Sequence, residues 1–245
     1  MEPFDSKRYL RSVSLKLEKI EDFNRYPFSL AAVKGLSTEL ELHESVTFLV
    51  GENGSGKSTL LEALAVSQGF NPEGGTQNFN FATQESHSCL NQFLRVVKGI
   101  RRPKTGFFLR AESFYNVATE IDRIGVTEFY GGISLHEQSH GESFFALMQN
   151  RFGREGLYIL DEPEAALSPN RQMAMISLLH QRVLEGCQFI IATHSPILLS
   201  YPHAAIHEIR DGGLVEVDYE DTDTYAVTRH FLNNYSTMLE ILMEE

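Results

Sequence analysis

An α/β fold built on a parallel sheet is predicted by three features of the sequence. Short apolar runs recur along the chain, helical patterns separate them, and a glycine-rich loop joins one run directly to a helix. The runs are Val46 to Val50, Phe107 to Leu109, Leu157 to Leu160 and Phe189 to Ala192. With 245 residues and 42% hydrophobic content, the chain can bury one large α/β domain, or a core carrying a helical lobe.

Near the start, Val13, Leu15 and Leu17 alternate with polar residues, and Leu36 to Leu42 does so less cleanly, which predicts early antiparallel strands. Val46 to Val50 is almost wholly apolar and ends in glycine, the mark of a buried strand entering a turn, and Thr59 to Val66 supplies the helix that follows. Gln68 to Gln84 is polar and rich in Gly and Asn and reads as an exposed excursion. Leu90 to Ile100 has helical spacing. The strands at Leu157 to Leu160 and Phe189 to Ala192 are separated by a helix from about Pro169 to Leu184. Ser168 and Pro169 suit its N-cap and first position, and Ile176, Leu179, His180 and Val183 share one face. After Asp218 the tail is acidic, then amphipathic near Met238 to Met243, and is predicted helical.

Acidic residues outnumber basic ones by 33 to 21, giving a net charge of −12, which excludes a surface that is basic throughout. The two cysteines, Cys89 and Cys187, form no metal-ligand or disulfide pattern and suit a reducing compartment. No stretch reaches the apolar length of a membrane span, and Met1 to Leu10 is too polar for a secretory signal, so a cytoplasmic location without membrane insertion is expected.

Gly51-Glu52-Asn53-Gly54-Ser55-Gly56-Lys57-Ser58-Thr59 fits the phosphate-loop pattern G-x-x-x-x-G-K-[ST], between a strand and a helix. Glycines let backbone N–H groups converge on phosphate, where the helix N-terminus adds partial positive charge. Lys57 is then expected on the β and γ oxygens, and the Ser58 hydroxyl on Mg²⁺. Asp161 and Glu162 end a buried strand, where carboxylates face the crevice in which α/β sheets bind ligands. Asp161 suits Mg²⁺, and Glu162 suits the base that polarises water. His194 ends another buried strand, within Ile190 to Pro196, and could donate to the γ-phosphate.

These motifs, in this order and with Ser139-His140-Gly141-Glu142-Ser143 between them, resemble the ABC ATPase superfamily from about Val46 to Leu199. Within it the chain is most similar to small stand-alone ATPases grouped with SMC and RecF-like AAA proteins. The resemblance implies a P-loop NTPase core with antiparallel strands and a helical lobe. Residues 1–67 and 155–245 would be the nucleotide-binding core, and 68–154 the lobe that carries the signature. It also implies a homodimer closed head to tail around two ATP with Mg²⁺, in which Ser139 and Gly141, flanked by His140 and Glu142, cap the γ-phosphate held by the other copy. The family's usual glycine stands here as His140, its glutamine as Glu142, and the aspartate that follows Ala-Leu as Ser168. Glu112 is the candidate for the glutamine loop, and Tyr26 or Phe28 for the residue stacked on adenine.

The leading functional expectation is an ATP-driven dimerising engine that acts on a protein partner or on DNA. The alternative is the soluble nucleotide-binding subunit of an ABC transporter. Arg95, Lys98, Arg101, Arg102, Lys104 and Arg110 form a basic stretch with no intervening acid, a candidate for nucleic acid, for a protein partner or for a merely solvated face. Nothing in the residues points to a nuclease or toxin module.

Overall fold

The alternation near the start folds as strand β1 (Leu10–Leu15), which stops before Leu17; Leu17 lies in a short 3-10 turn and is exposed. The structure is a computed structural model and describes residues 8–76, 88–125, 127–130, 132–137, 140–210 and 213–243. Helix α1 (Ala31–Gly35) and the two-residue strand β2 (Leu40–Glu41) come next. They are followed by β3 (Val46–Val50), α2 (Lys57–Ser67), β4 (Leu94–Lys98) and β5 (Thr105–Arg110). Helices α3 (Phe114–Arg123) and α4 (His140–Arg151) lead to β6 (Gly156–Asp161), α5 (Pro169–Leu184) and β7 (Gln188–Ala192). The chain closes with α6 (Pro196–Leu199), β8 (Ala204–Arg210), β9 (Gly213–Glu216), α7 (Asp223–Asn233) and α8 (Tyr235–Met243).

Six strands form the main sheet in the order β5-β6-β7-β3-β8-β9, parallel except for β9, which runs antiparallel to β8. Every residue of β3, β6 and β7 is buried, which explains why these strands read as continuous apolar runs rather than alternating ones. Side chains alternate between two cores. Phe48, Phe107, Tyr158 and Phe189 pack under α3, α4 and α5, while Leu49, Phe108, Ile159 and Ile190 face α1, α2 and the antiparallel sheet β2-β1-β4.

The helix expected over Leu90 to Ile100 does not form. A 3-10 turn, Cys89–Phe93, leads into β4, whose Leu94 pairs with Leu15 and Val96 with Val13 of β1. Leu90, Leu94 and Val97 stand at helical intervals, yet Val96 and Val97 are β-branched and pairing with β1 gives their backbone a ladder. Nor is the start of the Gln68 to Gln84 segment wholly exposed. Phe70 and Asn71 are buried, and Gly75 exchanges backbone hydrogen bonds with Phe108 (2.8 and 3.0 Å), covering the outer edge of β5. The rest of that segment, from 77 on, lies outside the described residues. Within the interval 68–154, β4 joins the small sheet and β5 the main one, and α3 and α4 pack on the main sheet through Phe114 and Phe144. Pro169 opens α5 as expected, with Ser168 at its N-cap.

One buried amide bridges the two sheets through four hydrogen bonds. Gln188, fully buried at the start of β7, accepts the N–H groups of Tyr9 (3.0 Å) and Leu10 (2.9 Å) on its Oε1. Its Nε2 donates to the carbonyls of Leu10 (2.8 Å) and His43 (2.9 Å), so all four hydrogen-bonding positions of the side chain are used. Replacement by leucine would orphan these backbone groups, at ~1–3 kcal/mol for each one left buried without a partner. Gln188→Leu is therefore expected to destabilise the chain by at least about 3 kcal/mol, read as a lower urea midpoint; an unchanged midpoint would show that the two sheets hold together without this amide.

Candidate functional site

Parallel pairing brings the carboxyl ends of β3, β6 and β7 to one edge of the sheet, and the loop Gly51 to Gly56 turns there into α2. The turn depends on glycine at Gly56, where φ is +99° and an added Cβ would meet the Leu30 Cβ at 2.8 Å. Ala32 also donates its N–H to the Ser55 carbonyl (2.9 Å), so the start of α1 braces the loop.

Lys57 is buried, and its ammonium donates to the carbonyls of Gly51 (2.6 Å) and Glu52 (2.9 Å). Burial lowers its pKa, and the carboxylates of Glu162, Asp161 and Glu164 oppose that shift. Ser58 donates to Asp161 at 3.1 Å, across 103 residues of chain. Burial pushes Asp161 up to about 6, while Arg110 and the Ser58 hydroxyl pull the other way.

Glu162 follows in a left-handed conformation, with φ of +50° and ψ of +52°, a strained arrangement for a side chain other than glycine. Its N–H donates to the Ala192 carbonyl (3.0 Å), holding the turn after β6 against the end of β7. Glu162 Oε1 stands 3.5 Å from His194 Nε2. Burial, with Lys57 nearby, lowers the pKa of His194 and favours its neutral ring. Both residues line an open cleft of about 720 Å³ with Glu52, Asn53, Glu164 and Ala165. The predicted residues Lys57, Ser58, Asp161, Glu162 and His194 thus meet in one place.

Two residues that sequence reasoning left out of the site also belong to it. Arg110, in register with Asp161 on the neighbouring strand, bonds Glu62 of α2 (2.8 Å) and lies 3.6 Å from Asp161. Its place at the end of β5, level with the end of β6, was the available signal. Glu164 accepts the His194 backbone N–H at 2.6 Å, and burial raises its pKa. Glu112, the glutamine-loop candidate, is largely exposed and bonds Arg110 at 3.2 Å. Phe28 is a core residue packed edge-on against Phe93 (4.9 Å between centroids), whereas Tyr26 is exposed.

Of the signature residues, Ser139 lies outside the described residues, and His140 opens α4. Gly141 packs so closely that a Cβ would stand 2.7 Å from the Ala166 carbonyl and 2.6 Å from an Arg171 nitrogen. Glu142 pairs with Arg171 at 3.3 Å. The first turn of α4 is thereby held against both the turn that follows Glu162 and the start of α5.

Among the described residues, four buried polar atoms near the cleft have no hydrogen-bond partner: Ser55 Oγ, Arg110 Nε, Glu164 Oε2 and His194 Nε2. Buried polar groups are normally satisfied, so their grouping here marks a place for a polar ligand. Among the described residues no helix is long and apolar enough to cross a membrane.

Two family profiles match the chain. The family described as "AAA domain" matches residues 19–119, across the phosphate loop, and "AAA domain, putative AbiEii toxin, Type IV TA system" matches 126–200, across the acids and His194. Similar proteins include the energy-coupling factor transporter ATP-binding protein EcfA of Methanosphaera stadtmanae, 24% identical over 78% of this chain and 74% of that protein. The hemin import ATP-binding protein HmuV of Streptomyces coelicolor is 28% identical over 73% of this chain and 69% of its own. Among solved structures, cbiO1 from Clostridium perfringens, part of the transporter complex cbiONQ, superposes with a TM-score of 0.53 at 18% identity. It covers 95% of this chain and 99% of that one, a likeness of fold. An SMC head domain from Thermotoga maritima gives a TM-score of 0.45 at 17% identity over 86% of this chain and 98% of that one. Together these matches support a P-loop ATPase of the ABC-type superfamily.

Proposed function

We propose that the chain binds ATP with Mg²⁺ at this cleft, closes head to tail with a second copy around two ATP molecules, and opens again on hydrolysis to change the shape of a partner. The observation that carries this reading is the Ser58 to Asp161 hydrogen bond at 3.1 Å, with Lys57 buried beside it and Glu162 and His194 3.5 Å apart.

The donor set suits Mg²⁺. Among the described residues no group of three or more His, Cys, Asp or Glu could hold a metal ion, whereas one hydroxyl and one carboxylate are what Mg²⁺ takes from a protein when nucleotide phosphates supply further ligands. Ser58 and Asp161 would hold it, and when bound it supplies charge neutralisation to the phosphate oxygens. Lys57 exchanges the Gly51 and Glu52 carbonyls for phosphate oxygens. Glu162 accepts a proton from the attacking water as the new bond to the γ-phosphorus forms; the bond to the β,γ-bridging oxygen breaks and ADP carries that electron pair away. Neutral His194 donates to the γ-phosphate, and Glu164 fixes it through its backbone N–H. Across the pair, the signature region around Gly141 caps the partner's γ-phosphate, which ADP lacks, so association follows the state of the nucleotide.

The names of the matched relatives favour a second reading, a nucleotide-binding subunit docked on membrane proteins. Recovery of the chain with an integral membrane protein after mild detergent extraction would establish it.

Glu162→Gln should hold ATP without turnover and accumulate a dimer in ATP on size exclusion; a monomer at saturating ATP and Mg²⁺ would sink the pairing. The raised pKa of Asp161 has a definite sign. The folded, nucleotide-free chain favours the protonated acid, so this group's contribution to stability is complete below about pH 4 and is lost as pH rises through about 6. Asp161→Asn should therefore make the nucleotide-free chain more stable at pH 7, by about 3 kcal/mol, while abolishing ATP turnover. In the unaltered chain, thermal stabilisation by Mg²⁺ and ATP should weaken as pH falls below 6, because protons compete for the same carboxylate; a flat response would refute that role for Asp161.

A further inference from the structure

The basic stretch from Arg95 to Arg110 does not act as one surface. Arg95 pairs with Glu18 at 3.3 Å, Lys104 pairs with Glu155, and Arg110 turns into the ATP cleft towards Glu62. Lys98, Arg101 and Arg102 make no ion pair among the described residues, and all three are exposed. They line a single concave cavity of about 590 Å³.

The cavity is a built one. Its floor is Tyr9, Leu10 and Leu157, all buried, and the Tyr9 hydroxyl is already engaged with the Gly186 carbonyl at 2.8 Å. Its wall is the link between the two sheets, residues 99–104, fastened at both ends: the Gly99 N–H donates to the Tyr9 carbonyl (2.8 Å) and the Lys104 N–H to the Glu155 carbonyl (2.8 Å). Gly99 sits so near β1 that an added Cβ would stand 1.7 Å from the Arg8 carbonyl oxygen, so the wall cannot approach this closely with any other residue. Ile100 projects from it, 71% exposed. The Glu155 carboxylate near this wall is held by Lys104, which keeps its pKa low, and burial pushes the Tyr9 hydroxyl up, so neither supplies a negative charge free to meet Arg101. The local balance is therefore cationic on a chain of net charge −12.

We propose that this cavity is a second anion site, separate from the ATP cleft, for a small phosphorylated molecule held by Lys98, Arg101 and Arg102. Guanidinium forks and an ammonium are the groups that recognise phosphate oxygens, and the apolar floor and Ile100 leave room for a ring or short chain attached to them. The volume falls within the range of small-ligand pockets, roughly 300–1,000 Å³. A nucleic acid backbone is a poorer fit. It needs a track of free cations along a surface, but the flanking Arg95 and Lys104 are paired and the acidic chain repels a long polyanion. The two cavities share no lining residue. Leu157 is the second residue of the strand that ends at Asp161, about 13 Å further on at roughly 3.3 Å per residue.

The test is calorimetric titration with tripolyphosphate at low salt, on the chain carrying Lys57→Ala so that the phosphate loop does not compete. Saturable binding is expected, weakening as salt is raised and at least tenfold weaker after Arg101→Ser with Arg102→Ser. Lys98→Ser, a single exposed change, should weaken it several-fold, with the thermal midpoint of the nucleotide-free chain unchanged. Absence of binding, or binding indifferent to these substitutions, overturns the proposal. So does a single-stranded 20-mer oligonucleotide that binds through the same arginines more than tenfold tighter than tripolyphosphate, since the surface would then be a nucleic-acid contact. None of these readouts depends on ATP turnover, so the second site can fail while the ATP cleft stands.

Discussion

Four parallel strands in fixed register constrain everything else in the site. Leu49 of β3 lies opposite Ala192 of β7, Ala192 lies opposite Asp161 of β6, and Asp161 opposite Arg110 of β5, so four strands finish level with one another. The loops that leave them must open on the same edge, and residues more than a hundred positions apart in the chain become hydrogen-bonding neighbours there. Side chains alternate along a strand, so a slip of one residue in β6 would exchange the faces of Ile159 and Leu160 and turn Asp161 away from Ser58. Two hydrophobic cores, one on each side of the sheet, oppose that slip.

Given that frame, the cleft resembles a network holding substitutes for its ligand. Lys57 is turned onto the carbonyls of its own loop, Arg110 lies beside Asp161, and Ser58 donates to the same carboxylate. Burial nevertheless leaves Asp161 raised, so these neighbours do not replace what a divalent cation would supply. Glu162 and His194 contribute in another way. The left-handed backbone at Glu162 costs on the order of 1–3 kcal/mol, and the strand pairing on both sides supports it. Each of these departures from local preference sits within a few residues of the cleft, where natural sequences tend to give up stability for function.

Most of this was legible in the chain. Buried parallel strands announce themselves as unbroken apolar runs, and β3, β6 and β7 fall where Val46 to Val50, Leu157 to Leu160 and Phe189 to Ala192 placed them. The phosphate loop, the acid pair and His194 could be read because each stands directly after such a run. Arg110 and Glu164 could not, because their roles depend on which strands become neighbours and on a backbone N–H thirty residues away. The misreading of Leu90 to Ile100 has the same origin. Apolar residues at helical intervals also fit a turn followed by a strand, and the deciding term was the ladder with β1, nearly eighty residues upstream. The basic stretch shows the converse error: adjacency in sequence suggested one surface, and folding dispersed it to three places.

If two copies close head to tail, charge decides how they do so. Each copy carries a net charge of −12, and ATP brings more negative charge to the seam. At physiological salt such repulsion is screened beyond about 8 Å, so local complementarity governs the approach. The signature side supplies it through Arg171, held by Glu142 and packed against Gly141, where the chain has Ser168 and no carboxylate at the position the family gives to aspartate. Exchanging that acid for a neutral hydroxyl removes one negative charge from each side of a seam that already gathers phosphates. The two departures therefore pull in opposite directions: Ser168 takes an acid away from such a seam, whereas Glu142, standing where the family has glutamine, adds one and spends it on Arg171 at 3.3 Å.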